Sequence, residues 1–416
     1  MTADPAAGIA PATGIALAAN SWLKGQHDQF AELVLALARA ESPSTEPELQ
    51  GDVREILIRE LTGLGLTVEL VPGGAWGPHI LARPPGGRMD QLLLGHLDTV
   101  WPSGTLATMP AECVARGPEW VIRGPGVFDM KGGLAVGLFA LRAMEACNDG
   151  ADSGLATGFL INADEEIGSL SSAPMIDQLA CEVGRVFVLE PALGEEGALK
   201  TRRKGVGCFA FTVEGVASHS GLAPADGASA VHAMAEIVGR VVALNDPARG
   251  VTVNVGVMEG GTRSNVVAAR ARAEVDVRVW TGRDARRLEA AVGALRSGLS
   301  RTSLAVTGGI EREALERTPR NTLLWESARE IGRHIGLNLE QGESGGGSDG
   351  NITSLRTATL DGLGAVGDGA HADHEFLYLE RTIERAALLA GLLALPRLPD
   401  PVSPESLLKE DRASVL

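Results

Sequence analysis

The chain has 416 residues, 44 % hydrophobic and 22 % charged, with a formal net charge of −16. That length is past the ~250–300 residues at which one core usually stops growing, so two domains are expected. The acidic balance disfavours nucleic acid and anionic membranes as partners. Aromatics at 4 % offer no stacking platform, and no apolar run reaches the roughly 18 residues that span a bilayer.

From the start, Met1–Asn20 is rich in Ala and Gly but has neither a basic n-region nor a long h-region, and it reads as a frayed leader of a cytoplasmic protein. Residues 21–45 carry apolar positions at helical spacing (Trp22, Phe30, Leu33, Leu35, Leu37), and 51–66 repeat the pattern before the alternating strand Leu66–Leu70. Segments 79–83, 91–95, 157–163 and 185–189 read as strands, and 131–147 as a helix entered at Gly132-Gly133. Such alternation predicts an α/β fold, a mostly parallel sheet flanked by helices. Beyond residue 204 the pattern changes to strands at 206–214, 251–258 and 271–280, with helices at about 225–244 and 282–299. This predicts an inserted ferredoxin-like α+β domain. Helix 322–336, strand 356–360 and helix 380–395 return to the first pattern. The expected division is 1–203 and 312–416 for one discontinuous domain and 204–311 for the insert. The tail beyond Pro396 is proline-rich and expected to be loosely held. Four cysteines without C-x-x-C spacing (Cys113, Cys147, Cys181, Cys208) are expected as free, mostly buried thiols of a reducing compartment.

Three short apolar runs end in side chains that bind metals or move protons, and a glycine-bounded turn carries a fourth such group. Leu92–Leu94 stops at Gly95-His96-Leu97-Asp98, Gly158–Ala163 at Asp164-Glu165-Glu166, and Arg185–Leu189 at Glu190-Pro191. Asp129 lies on the turn Gly126–Gly133, bounded by glycines. Ligand crevices of open α/β sheets lie beyond the carboxyl ends of the strands, so these groups are expected to converge on a site for one divalent metal or two. Alone, His-x-Asp is weak, and Asp164-Glu165-Glu166 is most simply a solvated acidic turn; their joint placement carries the reading. In an extended segment Glu165 and Glu166 point opposite ways, so one can coordinate while the other serves as a general base. Glu190 follows so apolar a strand that it needs a partner. In Gly367–Glu375, either His371 or His374 could complete a second metal. Gly362–Gly367 matches G-x-G-x-x-G but lacks the helix that a dinucleotide site requires. Gly345–Gly350 could hold an anion on its backbone N–H groups. His27, His79, His232 and His334, with no acidic groups foreseen nearby, read as surface or structural.

Gly95–Val100, Gly126–Gly133, Asp164–Ser169 and Leu189-Glu190-Pro191 together resemble the aminoacylase/carboxypeptidase/desuccinylase family of di-zinc metallohydrolases, most of all its glutamate carboxypeptidase branch. The resemblance spans about residues 28–395 and implies a zinc-exopeptidase-like catalytic domain with a lid and dimerisation domain. It implies two Zn2+ (Co2+ or Mn2+ also fitting), with Asp129 bridging, His96 and Glu190 on one ion, and Glu166 and His371 on the other. Glu165 would be general base and then acid, and Asp98 the orienter of His96. A cis peptide after Asp129 is a family trait. Gly215–Gly221 is similar to the segment whose His, here His219, reaches across a dimer interface to an oxyanion. Gly260–Val267 and Asp276-Val277-Arg278 resemble the clamp for a substrate carboxylate, with Asn265 and Arg278 as contacts, and Gly346 and Gly347 lie on the loop closing that end. By the resemblance Arg312 is the candidate to grip a second, side-chain carboxylate, but the family's Arg-Pro pair appears here as Arg312-Glu313, a departure that counts against that role.

The implied activity is hydrolysis of the last amide of an N-acyl amino acid or short peptide, releasing glutamate, by a hydroxide bridging the ions. The alternatives are an N-acyl-amino-acid deacylase or dipeptidase of the same family, or a non-catalytic metal-dependent binding protein. A homodimer through the lid is implied, with neither nucleic acid nor membrane as partner.

Overall fold

The computed structural model describes residues 5–147 and 155–397. Most of the tail after Pro396 falls outside them. The chain first forms helices α1 (Pro5–Leu23), α2 (His27–Arg39), α3 (Gly51–Gly63), α4 (Gly132–Cys147) and α5 (Ala173–Glu182). Its strands over the same stretch are β1 (Thr67–Val71), β2 (His79–Arg83), β3 (Gln91–His96), β4 (Glu112–Arg116), β5 (Glu119–Arg123), β6 (Thr157–Asn162), β7 (Arg185–Val188) and β8 (Leu199–Arg203). There follow β9 (Gly205–Glu214), α6 (Ala230–Val242), β10 (Thr252–Gly260), β11 (Arg270–Val279), α7 (Gly282–Gly293) and β12 (Ser303–Arg312). The last part holds α8 (Pro319–His334), β13 (Gln341–Ser344), the short α9 (Gly350–Thr353), β14 (Ala358–Leu360), β15 (Gly367–Asp368), β16 (Phe376–Tyr378) and α10 (Leu379–Leu393). One compact unit takes the described residues up to Thr201, Arg317–Gly342 and those from Ser348 onward; the other takes Arg202–Glu316 and Glu343–Gly347.

The first unit is built on a six-stranded sheet of order β1-β2-β6-β3-β7-β14. β6, β3, β7 and β14 run parallel, and β2 alone opposes them. Both faces are covered, which is why these strands read as continuous apolar runs rather than alternating ones. The period-two alternation still divides them. Leu93, Phe159, Ile161 and Phe187 join the large cluster with α1–α4 and α10. Leu92, Leu94, Leu160, Val186 and Val188 face α5 and its Ile176 and Leu179. α10 is buried along most of its length, and fully so over its second half, Ala386–Leu393, which is apolar all round.

Two expectations need correction, and two elements were not foreseen. Residues 5–23 form a helix, and its Ala12, Ala16, Ala19 and Leu23 are buried against α10, α4 and α8. Alanine at this spacing lets helix backbones approach closely, a packing signal that an apolar-run search does not see. None of the four cysteines is buried: Cys113 and Cys147 are half-buried, and Cys181 and Cys208 exposed, all without a disulfide. The Glu112–Arg123 hairpin, turning at Gly117-Pro118, and the helix α5 were not foreseen. With β15 and β16 that hairpin forms a small second sheet in the order β15-β16-β5-β4.

The second unit runs βαββαβ with the antiparallel order β10-β11-β9-β12, the ferredoxin-like arrangement. Phe209, Phe211, Val213, Val275, Val277 and Val279 pack under α6 and α7, and their alternate neighbours lie on the opposite face. β12 escaped the sequence reading because Gly308-Gly309 interrupt it and it buries little.

Candidate active site

β6, β3 and β7 lie side by side, so their carboxyl ends deliver adjacent loops to one edge of the sheet. His96 is the last residue of β3 and pairs with Asn162, the last of β6. Asp164-Glu165-Glu166 then enters a single 3-10 turn, Glu165–Ile167. Glu190 follows β7 at a point where two other segments close in. A Cβ on Gly133 would meet the Leu189 carbonyl oxygen at 2.0 Å, and one on Gly364 would meet it at 2.1 Å. Glycine at both positions lets α4 and the 362–367 loop press onto this strand end. Those glycines therefore serve packing.

Asp129 lies between two imidazoles. Its Oδ1 is 3.3 Å from His96 Nε2, and its Oδ2 is 3.5 Å from His371 Nε2. His96 Nε2 is also 3.6 Å from Glu190 Oε1, and His371 Nε2 is 3.1 Å from Glu166 Oε2. The ligand atoms of His96, Glu165 and Glu190 lie within 4.8 Å of one another, as do those of His96, Asp129 and Glu166. Two neighbours on a tetrahedral zinc, with arms of ~2.0–2.1 Å, are separated by roughly 3.3–3.4 Å. The observed spacing fits. So does hydrogen bonding: buried His96 Nε2, Asp129 Oδ1 and Glu166 Oε1 have no hydrogen-bond partner. Orphaned buried polar atoms each cost about 1–3 kcal/mol, and three in one space suit a cation. His374 is exposed and lines a separate cavity of 520 Å3 with Arg116, Val121 and Phe376.

The supporting residues are buried. His96 Nδ1 bonds the backbone oxygen of Asp98 at 2.9 Å, with the Asp98 carboxylate further off at 3.4 Å. That carboxylate instead accepts from the Glu165 and Glu166 amides, both at 3.2 Å, and from Ser44 Oγ at 2.7 Å. Asp98 thus holds the acidic turn as well as the histidine. Below the turn, Ala163 N–H donates to His79 Nδ1 at 3.1 Å, and His79 Nε2 meets Ser171 Oγ at 3.0 Å. Ser171 Oγ donates to Asp164 at 2.7 Å, and Asn162 Nδ2 to Asp349 at 2.6 Å. His79 is therefore structural, as expected, but it does sit among acids: Asp164, Asp98 and Asp349 act on it, although burial lowers its pKa overall. Sequence reasoning also missed Glu375. Its carboxylate accepts from the backbone N–H groups of Gly126, Phe128 and Asp129 at 2.9–3.0 Å, and from the Trp101 indole at 2.8 Å. The Asp129–Met130 peptide is cis.

The electrostatics follow from burial and pairing. Burial alone would lower the His96 pKa, but Asp129, Asp98 and Glu190 together raise it well above the ordinary value. His371 is raised to about 10 by Asp129 and Glu166. Asp129 is lowered by the two imidazoles despite a burial effect that opposes them. Burial pushes Glu166 and Glu375 up to about 7.

In the second unit, His219 is exposed, and its Nδ1 accepts the Gly221 and Leu222 amides at 3.2 and 3.1 Å. That leaves the ring proton on Nε2. Arg278 and Arg312 both stand opposite Val206, one strand to each side, about 10 Å apart by strand spacing. Arg278 Nε and Nη2 bond Asp276 at 2.9–3.1 Å. Lys204, not foreseen, feels Arg278 and lies 5.2 Å from the Trp280 ring. Asn265 is exposed, and its backbone oxygen accepts Ser220 N–H. The Gly346 and Gly347 carbonyls accept Arg203 Nη1 at 3.3 and 3.1 Å, and Gly346 N–H donates to Ser344 Oγ. At those positions the loop turns carbonyls toward a cation.

Residues 201–299 match the family model described as a peptidase dimerisation domain. Over 350 residues the chain is 29 % identical to carboxypeptidase G2 of Pseudomonas sp. (strain RS-16), covering 80 % of this chain and 81 % of that protein. It is 30 % identical over 259 residues to a succinyl-diaminopimelate desuccinylase of Rhodopseudomonas palustris, covering 57 % of this chain and 64 % of the relative. An M20 family metallo-carboxypeptidase from Sulfolobus solfataricus shares the fold, with a TM-score of 0.66 at 17 % identity over 88 % of this chain and 99 % of that one. Fold and kinship define a peptidase-type hydrolase built from an α/β domain and an inserted α+β domain. The chain is similar along most of its length to M20 peptidases and carboxypeptidases, a metal-dependent family, and it is a hydrolytic enzyme.

Proposed function

We propose that the chain is a di-metal carboxypeptidase that releases a C-terminal glutamate from an N-acyl or peptidyl conjugate. The observation that carries the reading is Asp129, whose two carboxylate oxygens each face a different imidazole. His96, Asp129 and Glu190 would hold one zinc, and Asp129, Glu166 and His371 the other. Such a pair, when bound, supplies Lewis-acid activation of a carbonyl and of water. Glu165 takes the proton from the attacking water and passes it to the departing amine. His219 donates Nε2–H to the developing oxyanion, and Asp98 keeps His96 and the Glu165 turn in register.

Specificity for glutamate rests on the second unit. Arg278, with Asn265, receives the terminal carboxylate, and Arg312 the side-chain carboxylate, with Lys204 adding positive charge. Guanidinium suits this task because it grips carboxylates bidentately. A second reading, an N-acyl-amino-acid deacylase or dipeptidase less strict in its leaving group, is favoured by the engagement of Arg278 with Asp276. A panel of N-acyl-glutamates, acetyl-amino acids and dipeptides separates the two. The working form is a homodimer through the second unit, in a compartment that keeps its cysteines reduced, the cytoplasm.

Glu165→Ala tests the hydrolytic assignment. It should lose about 10²–10⁴-fold in turnover while binding metal like wild type. Near-normal hydrolysis would remove Glu165 from its role. Wild-type activity should vanish with a chelator and return with zinc or cobalt; activity indifferent to chelation would end the di-metal reading.

A further inference from the structure

Glu375 has no part in the chemistry above, yet it is fully buried. A carboxylate placed in a dry site among other acids is costly unless every lone pair is used. Here four donors converge on it: three successive-turn amides from Gly126–Asp129 and the Trp101 indole. The segment that carries Glu375 is itself tightly wound. Glu375 N–H bonds the Ala372 oxygen, Ala372 N–H bonds the Gly369 oxygen, and Phe376 pairs with Arg123. His371 sits within that segment at a φ of 60°. One side chain thus ties the loop presenting His371 to the turn presenting Asp129, two segments more than 200 residues apart in the chain.

Resting on the di-metal reading, we propose that Glu375 is a positioning residue that fixes Asp129 relative to His371 and so sets affinity for the cation held by Asp129, Glu166 and His371. The charge matters as well as the shape. An amide in its place would turn an N–H2 group toward one of the four donors and release the turn that bears Asp129. Groups that orient metal ligands typically change metal affinity by about 10- to 100-fold when replaced.

The test compares full-length wild type with Glu375→Gln by zinc titration against a chromophoric chelator, and by amide hydrogen exchange of the metal-free proteins. Wild type should bind two ions. The variant should lose about 10- to 100-fold in affinity for the ion held through His371 and distinctly less for the one held through His96 and Glu190, with faster exchange confined to residues 126–129 and unchanged protection in β6 and β7. Its kcat should recover at high zinc with KM unaltered. Two ions bound with wild-type affinities, or a loss of protection spread evenly over the unit, overturns the proposal. If Glu375→Gln does not fold, Trp101→Phe removes one donor of four and should still weaken the ion held through His371 more than the other; equal affinities there overturn it too. Wild type binding no ion pair would instead sink the di-metal reading and this inference with it.

Discussion

At the scale of single residues, the site behaves as a proton store that a cation must empty. His371 is raised to about 10, and His96 also lies well above its ordinary value. In the metal-free chain His371 therefore keeps a proton at pH 7, and coordination must expel it; the shift at His96 acts in the same direction. The sign follows: affinity for zinc rises with pH up to the raised pKa values and falls as acid restores the protons. Each displaced proton contributes about tenfold per pH unit. Competition titrations between pH 6 and 8 should show a steep increase, with protons released into weakly buffered solution. A flat profile would mean that neither imidazole is a ligand.

Of the candidate residues that the structure brings together, His96, Glu165, Glu166 and Glu190 were legible because they follow apolar strands whose ends a parallel sheet gathers, whereas Asp129 and His371 lie on turns marked by glycine. The residues that hold them were not legible. Glu375 bonds backbone amides, which leave no side-chain signature, and His79 joins its network only because β2 lies beside β6. The Asp98 carboxylate was read as a partner of His96, whereas its bonds go mainly to the Glu165–Glu166 turn.

At the scale of elements, the largest surprise is α1. Its stripe of Ala12, Ala16 and Ala19 lies where Gly391 of α10 leaves room: a Cβ on Gly391 would come within 2.8 Å of the Ala16 Cβ. Small residues here are a fit. Ala16→Leu should force α1 and α10 apart and destabilise the first unit by about 1–3 kcal/mol, lowering its thermal midpoint without altering the metal ligands. An unchanged midpoint would mean that α1 is not seated on α10 in solution. Elements with long apolar faces, such as α4 and β3, were plain from periodicity. The glycine-broken β12 pairs only with the distant β9, and the short β4–β5 hairpin is held in its sheet through β16, far along the chain, so local pattern did not reveal them.

At the scale of the whole molecule, the proposed homodimer can be tested through the second unit. β10 is an edge strand, and its Val257 and Met258 are 42 % and 47 % exposed. An edge of this kind invites pairing with another chain unless charge blocks it. Val257→Lys combined with Met258→Lys should convert a dimer into a monomer by light scattering, with the fold retained. Whether His219 serves its own chain or its partner is decided by mixing. Glu165→Ala and His219→Ala should each be nearly inactive as homodimers. If His219 acts across the dimer, mixed dimers hold one complete site. Co-refolding them in equal amounts should then restore about a quarter of wild-type activity, because half the dimers are mixed. If His219 acts within its own chain, no mixture of the two regains turnover, and the lysine pair should leave the monomer active.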